Sequence, residues 1–244
     1  MISLALAAGY ATRMYPLTEN FPKPLLPVGG IMILDRLLMD LDALPEIERH
    51  VVVSNHKFID HFEDWRKRTP LKKPITLIDD GTTSNDNRLG AVRDIQLTIE
   101  RECIDDDILV LAADNLLDFS LSVLVRAYDQ SGASQIFCYR EDDLSVLRRC
   151  GVATLSADFR VIHMVEKPSE PQSHWAVPPF YLYARRDLAL IADAISGGVN
   201  VDAPGSLVSW LCERTEIRAT EMPGKRIDVG TLEAYERLKR DTLL

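Results

Sequence analysis

Arg13 and Lys23 are the first residues of this chain with chemistry to offer, because both follow an apolar run and a turn of small residues in the segment Leu6–Val28, LAAGYATRMYPLTENFPKPLLPV. Arginine presents a planar fork to phosphate oxygens and lysine a compact charge. The turn Ala8-Gly9, with Ala11 close behind, lets the backbone approach a ligand, and the N–H groups of such a turn point at anions. These residues compose a device for holding phosphates; the competing reading is a turn that only packs a strand against a helix, with two ordinary surface cations. Neither standard phosphate fingerprint is present, since Gly9-Tyr10-Ala11-Thr12-Arg13-Met14 lacks the later glycines of the dinucleotide motif and no G-x-x-x-x-G-K-[ST] occurs. Two carboxylates join these cations. Asp114 ends the apolar run Ile108–Ala113, and Asp228 ends Arg226-Ile227 before Gly230. Either alone reads as a helix cap. As a pair of hard oxygen donors completed by substrate phosphates, they match the way Mg²⁺ is held. Glu166-Lys167-Pro168, taken by itself, reads as a surface turn.

The elements that position these groups follow from hydrophobic periodicity. Ile2–Ala8, apolar but for Ser3, is the pattern of a strand buried on both faces of a parallel sheet. Pro16, Pro22, Pro24 and Pro27 exclude helix from Met14 to Val28, which predicts an extended loop leaving Arg13 and Lys23 at the sheet's carboxyl edge. Strands are expected at Val51–Val53, Ile75–Ile78, Ile108–Ala112 and Gln135–Tyr139, alternating with helices near Met32–Leu44, Lys57–Arg68, Leu89–Arg101 and Ser120–Ser131. Such alternation predicts the α/β class: a doubly wound, mostly parallel sheet in three α/β/α layers, whose ligands bind outside the carboxyl ends of the strands. From about Gly151 come short strands (Val152–Leu155, Val161–Val165, Val177–Tyr183), helices at Arg186–Ser196 and Ser206–Arg214, and a strand at Glu216–Met222. The last helix, Leu232–Arg240, should be braced by Glu233/Arg237 and Glu236/Arg240. With no internal repeat or low-complexity linker, 1–244 reads as a single domain, nucleotide-facing over about 1–115 and substrate-facing over about 116–244.

Composition narrows the partners. The chain has 244 residues, enough for a full core, with 28 Lys+Arg against 37 Asp+Glu for a net charge of −9. That balance argues against a nucleic-acid partner, which needs a basic face. The basic run from Arg66 to Lys73 is broken by Pro70 and reads as a solvated helix end. Cys103, Cys138, Cys150 and Cys212 form no C-x-x-C pair, so reduced, mostly buried thiols in a cytoplasmic protein are expected. The start Met-Ile-Ser-Leu has no basic leader, and no stretch approaches the length of a membrane span.

The Leu6–Val28 string closely resembles the opening of the sugar-phosphate nucleotidyltransferases, LAGGxGTRLxPLTxxxPKPLLPV, down to its PKPLLPV tail. It departs notably at Ala11, where the family carries Gly. At φ > 0 an alanine costs on the order of 1–2 kcal/mol, so either the loop differs slightly or that position sits at φ < 0. Leu111-Ala112-Ala113-Asp114-Asn115 and Asp228-Val229-Gly230-Thr231 are similar to the family's L-x-G-D-N and D-x-G-T motifs, which implies Asp114 and Asp228 as metal ligands, with Ala113 replacing a Gly. Glu166-Lys167-Pro168 resembles the E-K-P motif; this implies Lys167 for the phosphate of a sugar phosphate and Glu166 for its hydroxyls. Nucleotide contacts are implied at Leu6, Ala8, Gly9, Tyr10, Ala11, Thr12 and Asp114, and at Asn87 and Gly90. The segment Asn85–Ala91 stands where the family reads the nucleobase but lacks its Q-x-x-P-x-G-x-A, leaving the base open. Pro179 makes Ala176–Tyr181 atypical of the Gly-x-Tyr strand, leaving the acceptor open too.

These implications combine into a Mg²⁺-dependent nucleotidyltransferase of Rossmann-like fold that condenses NTP with a sugar 1-phosphate, giving NDP-sugar and pyrophosphate, with Arg13 and Lys23 as catalytic cations. The attacking phosphate oxygen is ionised at neutral pH and needs no general base, which agrees with the lack of a convincing triad among His50, His56, His61, His163 and His174. Alternatives are a cytidylyltransferase acting on phosphocholine or another small phosphorylated alcohol, and a non-catalytic nucleotide-sugar-binding homologue. A glycosyltransferase would need Asp105-Asp106-Asp107 as its D-x-D, which precedes the strand instead of following it. An NAD-dependent oxidoreductase is disfavoured by the missing glycines. The oligomeric state stays open, a homo-oligomer included.

Overall fold

The structure, a computed structural model, describes residues 1–241. β1 (Ile2–Leu6) is buried nearly throughout, as its apolar run requires. Two 3-10 turns, Thr12–Met14 and Lys23–Leu25, precede a short hairpin of β2 (Pro27–Val28) and β3 (Ile31–Met32). The stretch expected as a wholly extended loop therefore holds two single turns. Proline is tolerated where a helical turn begins, because its missing N–H would have no partner there, and Pro24 takes such a place.

The chain continues through α1 (Ile33–Asp42), β4 (Arg49–Ser54), α2 (Ile59–Arg66) and β5 (Ile75–Asp79) to α3 (Ala91–Arg101), β6 (Ile108–Ala112) and β7 (Asn115–Leu117). Then come α4 (Ser122–Ser131), β8 (Ser134–Arg140), the single turn α5 (Leu144–Leu147), β9 (Gly151–Leu155) and β10 (Val161–Glu166). β11 (Trp175–Val177), β12 (Phe180–Tyr183), α6 (Ala189–Ser196), α7 (Gly205–Leu211), β13 (Ile217–Glu221), β14 (Arg226–Asp228) and α8 (Leu232–Asp241) complete it. Val177–Tyr183, expected as one strand, is two. Pro178-Pro179 withhold two successive N–H donors, and the halves part: β11 pairs β8 and β9, whereas β12 lies between β6 and β8. On α8, Glu236 bonds Lys239 at 3.4 Å in place of the expected Arg240.

Two compact units are interleaved in sequence: one of Met1–Arg88, Ala112–Ser120 and Gly224 onward, the other of Leu89–Leu111 and Leu121–Pro223. In the first, β1, β4 and β5 are parallel, with Leu4 opposite Val51 and Val51 opposite Thr76. Helices α1 and α2 are joined by Trp65 Nε1, which donates to Asp35 Oδ1 at 2.8 Å. Ser3 Oγ lies 2.6 Å from His50 Nδ1, and His50 Nε2 lies 3.3 Å from Asp42 Oδ1. Ser3 and His50 are wholly buried and burial pushes the His50 pKa down, so this row reads as an internal strut between β1, β4 and Asp42. The second unit carries the order β10-β9-β11-β8-β12-β6, all antiparallel neighbours, with β13 parallel to β8. The α/β class is as the alternation predicts, its parallel part clearest in the first unit. No helix among the described residues is long and apolar enough to cross a membrane.

Candidate active site

The first unit builds its site from the end of β1 outward. Asn55, fully buried, donates from Nδ2 to the Ala8 carbonyl at 2.9 Å and accepts from Phe58 N at 3.0 Å, which pins the start of the turn. Beyond it, a Cβ on Gly9 would meet no protein atom within 4 Å, and the Gly9 φ is an ordinary one. Neither strain nor packing asks for a glycine there; the free space in front of it suits a ligand's close approach. Ala11 sits at φ 47° and ψ 41°, in the left-handed region, so of the two possibilities offered for it φ < 0 is ruled out. Its carbonyl accepts from Thr18 Oγ1 at 2.8 Å and from Met14 N at 2.9 Å, bonds that hold the residue against its preference. A cavity of about 240 Å³ follows, lined among others by Leu6, Gly9, Ala11, Arg13, Lys23 and Asp114.

Asp114 lines this cavity and Asp228 is brought beside Asp114 because β7 and β14 pair antiparallel, Asn115 opposite Asp228, and Val229 N donates to the Asp114 carbonyl at 3.1 Å. Lys23, almost buried, places Nζ 2.5 Å from Asp114 Oδ2. Asp114 Oδ1 accepts from Asn115 Nδ2 at 2.8 Å, and Asn115 Oδ1 accepts in turn from Arg226 Nη1 at 2.7 Å. Asp228 still meets solvent, yet its pKa is pushed up, first by loss of water around the carboxyl and then by the Asp114 charge; Lys23, Arg226 and Arg13 offset part of this. Gly230 leaves room for that carboxyl, since a Cβ there would lie 3.3 Å from Asp228 Oδ2. Two mutually repelling carboxylates with only oxygen donors fit a hard divalent cation. Among the described residues no third acidic, His or Cys side chain joins them, so substrate or water oxygens would complete the coordination.

The remaining nucleotide candidates are spread more widely. Leu6 ends β1 at the cavity wall, Ala8 is buried, and Thr12 opens the 3-10 turn on the surface. Tyr10 is a buried strut whose hydroxyl lies 3.0 Å from Thr82 Oγ1, with Thr82 held by Asp80 at 2.8 Å. Asn87 spends its side-chain oxygen on the backbone N–H groups of Thr83 and Ser84, at 3.1 and 2.9 Å, which shapes its own loop. Gly90, in the second unit, has φ 92°, and a Cβ there would lie 2.6 Å from the Val201 carbonyl, so its smallness serves packing. Asp105 is taken by the Arg185 fork at 2.5 and 2.6 Å, and Asp107 accepts from Arg185 N and the Tyr128 hydroxyl at 2.8 and 2.7 Å. That triplet is structural, which removes the glycosyltransferase reading of D-x-D.

The second unit holds its own cavity of about 560 Å³, between the end of β10 and α7, with Glu166, Lys167, Asn200, Ser206 and Trp210 on its walls. Burial pushes the Glu166 carboxyl pKa up, partly countered by Lys167, whose Nζ is 4.0 Å away. Among the described residues no donor hydrogen-bonds that carboxylate. Lys167 has φ 50°, a left-handed turn fixed by its N–H bonding the Cys150 carbonyl at 3.0 Å, and its side chain reaches solvent.

With this geometry in view, the profile of the nucleotidyl transferases matches residues 2–243. The chain belongs to the nucleotidyl transferase family. This nucleotidyl transferase is 28% identical over 255 residues to the UTP–glucose-1-phosphate uridylyltransferase AglF of Haloferax volcanii, covering 99% of this chain and 98% of the relative. It is 25% identical to a glucose-1-phosphate adenylyltransferase of Kocuria rhizophila, spanning 96% of this chain and 64% of that one. A UDP-glucose pyrophosphorylase solved with UDP-glucose shares its fold at a TM-score of 0.81, 22% identity, and coverage of 99% and 98%.

Sequence reasoning missed Asn115 and Arg226 in this nucleotidyl transferase. They orient Asp114 as a chain of two hydrogen bonds, and the Asn directly after Asp114 was the only local signal. The pairing of β7 with β14, 111 residues apart at Asn115 and Arg226, left none.

Proposed function

We propose that this nucleotidyl transferase condenses an NTP with a sugar 1-phosphate to give NDP-sugar and pyrophosphate. The observation that carries the reading is the gathering of Asp114, Lys23 and Arg13 on one cavity beneath the Gly9 turn, with the Asp228 carboxyl close enough to feel the charge of all three. An oxygen of the acceptor phosphate forms the new bond to the α-phosphorus, the bond to the β-bridging oxygen breaks, and pyrophosphate leaves with its electron pair. Asp114 and Asp228 would hold Mg²⁺, which when bound supplies charge neutralisation at the α-phosphate. Arg13, exposed and acting on Asp228 through its charge, offers its fork to the β/γ oxygens where negative charge accumulates. Lys23 shares its ammonium between Asp114 and the same phosphates, tying the carboxylate's position to the nucleotide's.

In the second unit Lys167 takes the acceptor phosphate and Glu166 its hydroxyls. A partly dehydrated carboxylate without a protein donor asks for O–H partners, which a sugar supplies and the quaternary ammonium of phosphocholine does not; this favours a sugar phosphate. On this reading the chain acts as one catalytic domain, with cytoplasmic NTP and sugar phosphate as partners. Four free cysteines, Cys103, Cys138, Cys150 and Cys212, accord with a reducing compartment. A panel of NTPs against sugar 1-phosphates and phosphocholine, read by pyrophosphate release in Mg²⁺, tests it. Release with a sugar 1-phosphate is expected; release only with phosphocholine, or none with any pair, would overturn it.

A further inference from the structure

Gly205 opens α7 in ordinary helical geometry, and nothing in its backbone asks for glycine. Alanine is the better helix former, so the glycine has to be explained by what lies against it. What lies against it is the Glu166 side chain. A Cβ on Gly205 would collide with Glu166 Oε2, at 3.2 Å from Cδ of the same carboxyl and 3.0 Å from Met164 Cε. From the other side, a Cβ on Gly151 would reach the same Oε2 at 3.1 Å and collide with Met164 Cε. The carboxylate is thus slotted between two bare Cα positions. Its other oxygen, Oε1, is the one 4.0 Å from Lys167 Nζ.

We propose that Gly205, with Gly151 as the opposite wall, is a positioning residue for the acceptor: the missing side chains form a slot that fixes the Glu166 carboxylate at the cavity wall beside Lys167. This rests on the reading of Glu166 as an acceptor ligand. The atoms that a methyl at 205 would strike are the far ends of two flexible side chains, so Gly205→Ala leaves the fold intact and swings the carboxylate out of its slot. Glycine here sacrifices helix propensity for ligand geometry.

The experiment compares Gly205→Ala, Glu166→Gln, Glu166→Asp and Gly205→Ala/Glu166→Asp with wild type, using UTP and glucose 1-phosphate, or the productive pair from the panel above. Acceptor KM, NTP KM, kcat and melting temperature are measured for each. Gly205→Ala is expected to raise acceptor KM about tenfold or more, with NTP KM near wild type and melting temperature unchanged or slightly higher. In the double variant the shorter Asp retracts from the methyl, so acceptor KM is expected to be no worse than in Gly205→Ala alone. If Glu166→Gln raises acceptor KM and Gly205→Ala does not, the slot is overturned while the acceptor site stands. If Glu166→Gln leaves acceptor KM unchanged, the acceptor reading falls and the slot with it. Strict additivity of the two substitutions, or an equal rise in both KM values, also overturns the proposal. Should Gly205→Ala fold poorly, the double variant carries the test through its own acceptor KM against Glu166→Asp alone.

Discussion

The carboxylates of the two units are prepared in opposite ways. Asp114 is fully met by its own chain: Lys23 Nζ on one oxygen, Asn115 Nδ2 on the other, and Arg226 behind Asn115. Glu166 is held by shape, between Gly151 and Gly205, with its nearest counter-charge 4.0 Å away. On the proposed reading, the difference matches the partner each would meet. A group that shares a divalent cation with polyphosphate must be oriented by charge-bearing neighbours that can shift their bonds; a group that reads hydroxyls must keep its lone pairs free and its direction fixed.

The largest effect expected from breaking this contrast lies at the aspartates. Asp114→Asn and Asp228→Asn should each lower kcat by about 10³ or more, the scale of losing a preorganised electrostatic group. Their stabilities should diverge. A carboxyl whose pKa folding raises favours the fold while protonated and loses that contribution as pH climbs through the raised value, so near neutral pH the Asp228 charge opposes folding. Melting without divalent metal should therefore rise for Asp228→Asn and fall for Asp114→Asn, which strands Lys23. Equal shifts of the same sign would show that the two carboxyls do not repel.

Next in size is Arg13. Arg13→Ala should cost on the order of 10²–10³ in kcat, and Arg13→Lys should recover only part, lacking the planar fork. Unchanged turnover in a destabilised protein would make Arg13 structural. Smaller still is the split between the lysines, which sharpens the comparison directly. Lys23→Ala should weaken NTP use and lower the melting temperature, because it leaves Asp114 Oδ2 unmatched; Lys167→Ala, on an exposed side chain, should chiefly raise acceptor KM with stability kept. Equal losses for both substrates in both variants would mean the roles are misassigned. The smallest effect belongs to Ala11→Gly. Relief of the left-handed alanine is nearly offset by the freer unfolded chain, so a rise in melting temperature of about 1–2 °C, at unchanged kcat, is expected. A fall would show that the Ala11 methyl packs usefully.

The residues alone carried the phosphate turn, the two strand-ending aspartates and the α/β alternation, because each is a local pattern: an apolar run, a small-residue turn, a charge at a strand's end. The resemblance added Glu166 and Lys167 and supported the metal role that the paired carboxylates suggest, through motifs equally contiguous in sequence. What only the tertiary structure decided lies across long separations or in backbone geometry. That Asp228 stands opposite Asn115, that Lys23 bonds Asp114, and that Ala11 is left-handed depend on pairing and loop closure, to which no single segment's composition is sensitive. Asn87 and Tyr10, which their place in the sequence offers as ligand contacts, spend their side-chain polar atoms on the protein, Asn87 on its own loop and Tyr10 on Thr82, 72 residues away. A glycine such as Gly205 is the extreme case, since its meaning is the position of another residue's carboxylate, and only packing specifies that.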